Sequence, residues 1–205
     1  MTIRLHRGDL PDLSRYQSGA VAIDTETMGL DPHRDRLCLV QLSPGDGSAD
    51  LVQMPAGPIE APNLKSLLAN PAVLKIFHFA RFDVAVLMRS LGVRPAPIYC
   101  TKIASRLSRT YTDKHGLKDL ARELLGVDMS KQQQSSDWGS GHLTEAQLGY
   151  AASDVLHLHA LKDKLDTMLV REGREDLAAA CFGFLPERAK LDLAGWAAED
   201  IFAHS

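Results

Sequence analysis

The chain has 205 residues, 45% hydrophobic and 24% charged, the composition of an ordinary globular protein, which excludes collagen-like, low-complexity and largely disordered chains. Lys and Arg number 23 against 26 Asp and Glu, a net charge of -3, which argues against a long nonspecific grip on nucleic acid through many phosphates. No run approaches the roughly 18 apolar residues of a membrane span, and residues 1–13 lack the apolar core of a signal peptide, so the sequence predicts a cytoplasmic protein with no membrane partner. Cys38, Cys100 and Cys181 are far apart and fit no zinc or disulfide spacing, which predicts reduced packing residues.

In chain order, short β-rich runs fall at Ile3–His6, Ala20–Thr25, Leu37–Leu42, Asp50–Met54, Leu74–Phe77 and Ile98–Thr101. Turn residues at Gly29 to Pro32, Pro44 to Gly47 and Pro55 to Pro62 separate them. The runs at Ala20 and Leu37 predict antiparallel neighbours, and a helix over 80–92 returns the chain to Ile98. Further helices are expected near 101–109, 116–125, 144–169 and 187–202. This order predicts an α/β fold, a mixed central sheet flanked by helices, in one domain over 1–205.

Acidic residues concentrate where these elements end. Asp24 and Glu26 stand at positions i and i+2 of a strand and project to one face. Asp83 sits one helical turn beyond the strand Leu74–Phe77, and Tyr150 and Asp154, four apart, share a helix face among Ala151, Ala152 and Val155. Asp24 and Glu26 alone read either as a solvated strand end or as a cation-binding pair, and Asp83 as an ordinary acid near a helix N-terminus, whereas Asp154, on a helix that otherwise looks packed, is less easily read as solvated. Together they form an oxygen-rich set suited to hard cations such as Mg²⁺ or Mn²⁺, and two such ions about 4 Å apart suit phosphodiester cleavage.

Three ordered segments carry a family resemblance: Ile23-Asp24-Thr25-Glu26-Thr27-Met28-Gly29-Leu30, then Phe77-His78-Phe79-Ala80-Arg81-Phe82-Asp83, then Leu143-Thr144 through Tyr150 to Asp154-Val155. With His115 to Leu120 and Lys131 to Trp138 between them, the chain resembles the ribonuclease D branch of the four-carboxylate 3′-5′ exonucleases over about residues 20–165. The tyrosine four residues before the last aspartate matches the tyrosine subclass. The resemblance implies a ribonuclease H-like fold and two divalent ions, Mg²⁺ or Mn²⁺. Asp24, Glu26 and Asp154 would hold one ion, Asp24 and a water-linked Asp83 the other, and Tyr150 would orient the attacking water.

Substrate-facing candidates follow from the same segments: Thr25; Leu30, either a wedge against terminal bases or a loop leucine folded back on the core; His78 beside Asp83, and Phe82, which also reads as core packing; and Lys131, Gln134 and Trp138, where a cation and an aromatic ring suit phosphate and base, the alternative being a solvated loop with one anchoring Trp. Arg106, Arg109 and Lys114 read as a solvated helix face, and His157 and His159 as surface or packing residues. The 205-residue length and the Gly141-His142 pair depart from ribonuclease D and look more like single-domain enzymes of the nanoRNase C type. That subgroup implies cleavage of very short single-stranded RNA, dinucleotides above all, and a homo-oligomer of the ring-like homo-octamer kind. The segment Leu191–Phe202 with Trp196 would then be an interface or a cover for the core. The alternatives are a general single-stranded RNA or DNA exonuclease and a catalytically silent RNA-binding module; five filled catalytic positions disfavour the last.

Overall fold

A computed structural model describes residues 2–130, 132, 133 and 135–204. Six strands form one mixed sheet: β1 (Thr2–Arg7), β2 (Gly19–Thr27), β3 (Leu37–Ser43), β4 (Ser48–Gln53), β5 (Val73–Phe77) and β6 (Ile98–Cys100), in the order β1-β4-β3-β2-β5-β6. The three central pairings β4-β3, β3-β2 and β2-β5 run antiparallel, antiparallel and parallel, and both outer pairs are parallel. Val21, Ala22 and Ile23 are fully buried in succession. Because side chains alternate across a strand, this means that both faces of β2 are covered. Its apolar half therefore anchors in the core, and its acidic end emerges where that cover stops.

The helices are α1 (Pro62–Ala69), α2 (Ala80–Leu91), α3 (Thr101–Ser108), α4 (Leu117–Leu120), α5 (Glu145–Leu156), α6 (Leu158–Glu172) and α7 (Glu175–Leu191). Single π-helical turns extend α4 over Ala121–Leu125 and α7 over Asp192–Trp196. Helix α5 packs over β2, β3 and β4, and α2 against β2, β3, β5 and β6. Their buried faces use Ala151, Ala152 and Val155 on α5 and Val84, Ala85, Val86, Leu87 and Leu91 on α2.

All six expected strands are present within two residues of the expected ends, and β2 and β3 are the antiparallel pair foreseen. The expected helix over 144–169 is two helices that meet at His157. A helix over 187–202 is not found. The helix there is α7, which begins at Glu175, and Gly195 at φ 108 breaks helical geometry after it. Helix α1 was not expected; it begins at Pro62, the last residue of the Pro-rich break, and Pro62 stands in its first turn, where a missing N–H costs nothing.

Among the described residues no helix is long and apolar enough to cross a membrane. Cys38 and Cys100 are buried free thiols, whereas Cys181 is half-buried. Arg109 corrects the expected solvated face. It is fully buried, donates to Ser105 Oγ at 2.9 Å and to the Lys114 carbonyl at 2.8 Å, and pairs with Glu123. The chain after α3 folds back around its guanidinium, which ties that loop to α3 through Ser105 and to the π-helical turn through Glu123. Arg106 and Lys114 are exposed, as expected.

Candidate active site

The end of β2 carries the first two acids. Asp24 stands opposite Gln41 of β3 and Glu26 opposite Leu39, and the register slips between Glu26 and Thr27, a bulge of the kind that re-aims side chains at a strand end. Asp24 and Glu26 share one face of β2. There α5 brings Asp154, and carboxylate oxygens of the three lie within 4.8 Å of one another. Thr25, between them, points to the other side and donates from Oγ1 to Asp83 Oδ1 at 2.7 Å. The strand end thus has carboxylates on both sides.

Helix α5 holds Tyr150 and Asp154 in place through its N-terminus. Thr144 and Gln147 form a capping box, satisfying two otherwise orphaned N–H groups, and Gln147 also donates to the Asp137 carbonyl at 3.2 Å. The same residue that starts the helix therefore ties down the loop before it. In that loop Trp138 is buried, with its ring 6.1 Å from that of Tyr150.

The electrostatics are those of acids with no ion-pair partner among the described residues. None of Asp24, Glu26, Asp83 and Asp154 forms an ion pair among the described residues. Burial, then repulsion from Asp83, Asp154 and Glu26, pushes Asp24 well above the usual carboxylate range. Burial with repulsion from Asp154 and Asp83 pushes Glu26 up to about 9. Burial lifts Asp83 to about 7 against the Thr25 hydrogen bond, and lifts Asp154 to about 7 against the Tyr150 hydroxyl. Such a set is costly as bare anions and is relieved by a bound cation. An all-oxygen donor set of this kind fits Mg²⁺ or Mn²⁺.

A cleft of about 530 Å³ opens over the cluster, lined by Asp24, Glu26, Leu30, Phe82, Tyr150 and Asp154 among others. A second hollow of about 300 Å³ reaches Asp24, Tyr150 and Asp154 from the side of His78, Phe79, Lys102 and Lys118. Leu30 is 85% exposed at the cleft mouth, so it does not fold back on the core. Phe82 both lines the cleft and packs on the core. His78 is held through Nδ1 by Thr101 Oγ1 at 2.9 Å, and burial, then Lys102, pulls it down to about 3, so it is neutral.

Two of the substrate-facing candidates also have structural partners. The Thr25 hydroxyl is committed to Asp83, which makes it a support for that acid and not a free donor. Trp138 is buried beside Tyr150 as the anchoring alternative has it, and forms part of the cleft wall. Lys131 and Gln134 lie outside the described residues. The sequence reading missed Lys102 and Lys118, which face the second hollow, and Gln41, whose Nε2 donates to Asp24 at 3.5 Å while its buried Oε1 has no partner among the described residues. Lys102 is the second residue of α3, two past the end of β6, a position that no motif marks. Its ammonium sits 4.2 Å from the centre of the Phe79 ring.

The family model of the 3′-5′ exonucleases matches residues 12–170. Ribonuclease D of Acidiphilium cryptum is 35% identical over 159 residues, which are 78% of this chain and 40% of that protein, so the chain spans about two-fifths of that curated relative. Brucella melitensis NrnC with bound Mg²⁺ superposes with a TM-score of 0.97 at 61% identity, covering both chains in full. Brucella melitensis NrnC bound to pGG matches at 62% identity and a TM-score of 0.97, again over both full lengths. The chain belongs to the 3′-5′ exonuclease family, and its fold is ribonuclease H-like. Within that family it is of the ribonuclease D-like, NrnC type.

Proposed function

We propose that this protein is a metal-dependent 3′-5′ exoribonuclease that hydrolyses very short single-stranded RNA, down to dinucleotides, to nucleoside 5′-monophosphates. The observation that carries this reading is the meeting of Asp24, Glu26 and Asp154 within 4.8 Å beside Asp83 and Tyr150, in a cleft with an exposed leucine at its mouth. Asp24, Glu26 and Asp154 would hold one Mg²⁺ or Mn²⁺ ion, and Asp24 with Asp83 through water a second. Bound there, such ions supply charge stabilisation for the attacking and leaving oxygens of phosphodiester hydrolysis.

The chain's own groups do the rest. Burial, then the charge of Asp154, raises the Tyr150 phenol above its ordinary value, so it keeps its proton at neutral pH. Tyr150 therefore orients the attacking water by its hydroxyl and does not act as the base. Leu30 wedges against the terminal bases, and Phe82 lines the floor beneath them. Thr101 gives its hydroxyl proton to the Phe77 carbonyl at 3.2 Å, so it accepts from His78 Nδ1 and leaves His78 Nε2 as an acceptor. A ribose hydroxyl is a donor that fits there, and this favours RNA.

Short substrates are favoured by the net charge of -3 and by the pGG held in Brucella melitensis NrnC. The exposed Trp196, Ile201 and Phe202 argue against a core cover and for a homo-oligomer contact, in keeping with a homo-octamer. The free buried thiols of Cys38 and Cys100 fit a reducing cytoplasm. The test is incubation of RNA labelled at its 5′ or its 3′ end with Mg²⁺, Mn²⁺ or chelator. Release of the 3′-terminal nucleotide as the 5′-monophosphate, only with metal, is expected; internal cuts or activity in chelator would overturn the proposal.

A further inference from the structure

Asp83 stands in the first turn of α2, and its neighbours divide the work of that turn. Phe82 lines the cleft, Asp83 is buried on Thr25, and Arg81 turns away toward the C-terminal segment. There its guanidinium grips Asp192 twice, Nε to Oδ2 at 2.6 Å and Nη2 to Oδ1 at 2.7 Å, and Nη2 also donates to the Ala197 carbonyl at 2.8 Å. Arg188 completes the clasp, reaching Asp192 Oδ1 and the Trp196 carbonyl, each at 2.8 Å. Every partner of Arg81 in this clasp lies beyond residue 170, where the family match ends.

We propose that Asp192 is a positioning residue for the reaction: through the Arg81 fork it sets the start of α2, and so the place of Phe82 and Asp83 relative to the acids of β2 and α5. This rests on the exonuclease reading above. The residue before α2, Phe79, takes a left-handed conformation at φ 65, so the chain enters the helix abruptly, with no side-chain cap to hold the turn. Among the described residues, beside the core packing of Ala80 and Phe82, two carboxylate contacts hold this turn through side chains, Thr25 on Asp83 and Asp192 on Arg81. A bidentate guanidinium-carboxylate pair fixes direction as well as distance, which a single-point contact does not. The pair is part-exposed, with Arg81 36% and Asp192 13% accessible, so it adds little to global stability while still constraining one turn.

The test compares wild type with Asp192→Asn, Asp192→Glu and Arg81→Lys in kcat, KM for a short RNA, the Mn²⁺ concentration for half-maximal rate, and melting temperature. Asp192→Asn and Arg81→Lys are expected to lower kcat about tenfold and raise the Mn²⁺ requirement about threefold, with KM within about twofold and melting nearly unchanged. Asp192→Glu recovers most of the rate. Wild-type kcat and Mn²⁺ dependence in both Asp192→Asn and Arg81→Lys overturn the inference, as do losses that simply follow a lowered melting temperature. Wild-type protein inert with every divalent ion overturns the exonuclease reading itself, and this inference with it.

Discussion

Thr25 Oγ1 lies 2.7 Å from Asp83 Oδ1, joining the acidic end of β2 to the first turn of α2. One hydroxyl thus relates carboxylates from two distant parts of the chain. Thr25→Val keeps the shape and deletes the donor, leaving a buried carboxylate short of a partner. It should cost about 1.5–3 kcal/mol of stability above neutral pH, where Asp83 is ionised, and lower kcat, with Thr25→Ser restoring both. Urea unfolding and steady-state rates on the three proteins check this.

The unpaired acids predict how stability without metal depends on pH. Asp83 and Asp154 sit near 7 and Glu26 near 9, against ordinary values near 4. Between these limits the folded chain holds more protons than the unfolded one, so stability in chelator falls as pH rises from about 4 to about 9. Asp24→Asn or Asp154→Asn should flatten that fall and abolish turnover. Added Mn²⁺ should raise the wild-type melting temperature more at pH 8 than at pH 5. A melting curve series in chelator and in Mn²⁺ shows both effects.

Tyr150→Phe removes only the hydroxyl. Metal affinity should be kept while kcat falls by about 10²-fold, the scale of a lost water-orienting group. A calorimetric Mn²⁺ titration beside the rate assay separates the two.

Leu30 is 85% exposed with no packing role to lose. Leu30→Ala should raise KM severalfold, leave the melting temperature unchanged and leave Mn²⁺ dependence as it was. Binding of short RNA to wild type should show a salt slope of about one or two phosphates, near 0.7 per phosphate for a single strand. Fluorescence anisotropy at several salt concentrations gives the slope.

Arg109→Met should destabilise the fold by about 2 kcal/mol, because Ser105, the Lys114 carbonyl and Glu123 lose a shared donor. The partial exposure of Glu123 keeps the cost below that of a fully buried pair. Chemical unfolding measures it.

The strands were readable because their apolar runs are short and bounded by turn residues, and the site because Asp24 and Glu26 share a strand face while Tyr150 and Asp154 share a helix face. What was hidden depends on tertiary placement. Helix α1 starts at a proline that reads as a breaker, and α7 carries Gly183 and Pro186 inside it, which masked its true start at Glu175. Arg109 looks like any surface cation until the loop around it is seen. The Arg81 and Asp192 fork spans 111 positions, a distance at which no periodicity applies.

The central claim is that this site cleaves RNA of very few nucleotides, and the most direct measurement is kcat/KM in Mg²⁺ for a 5′-phosphorylated dinucleotide against RNAs of three to seven nucleotides. The dinucleotide is expected to be cleaved at least as efficiently as any longer RNA, with mononucleotides as the sole end products. Accumulation of dinucleotides, or a kcat/KM that climbs steadily with length, would contradict the account and return the enzyme to a general single-stranded exonuclease.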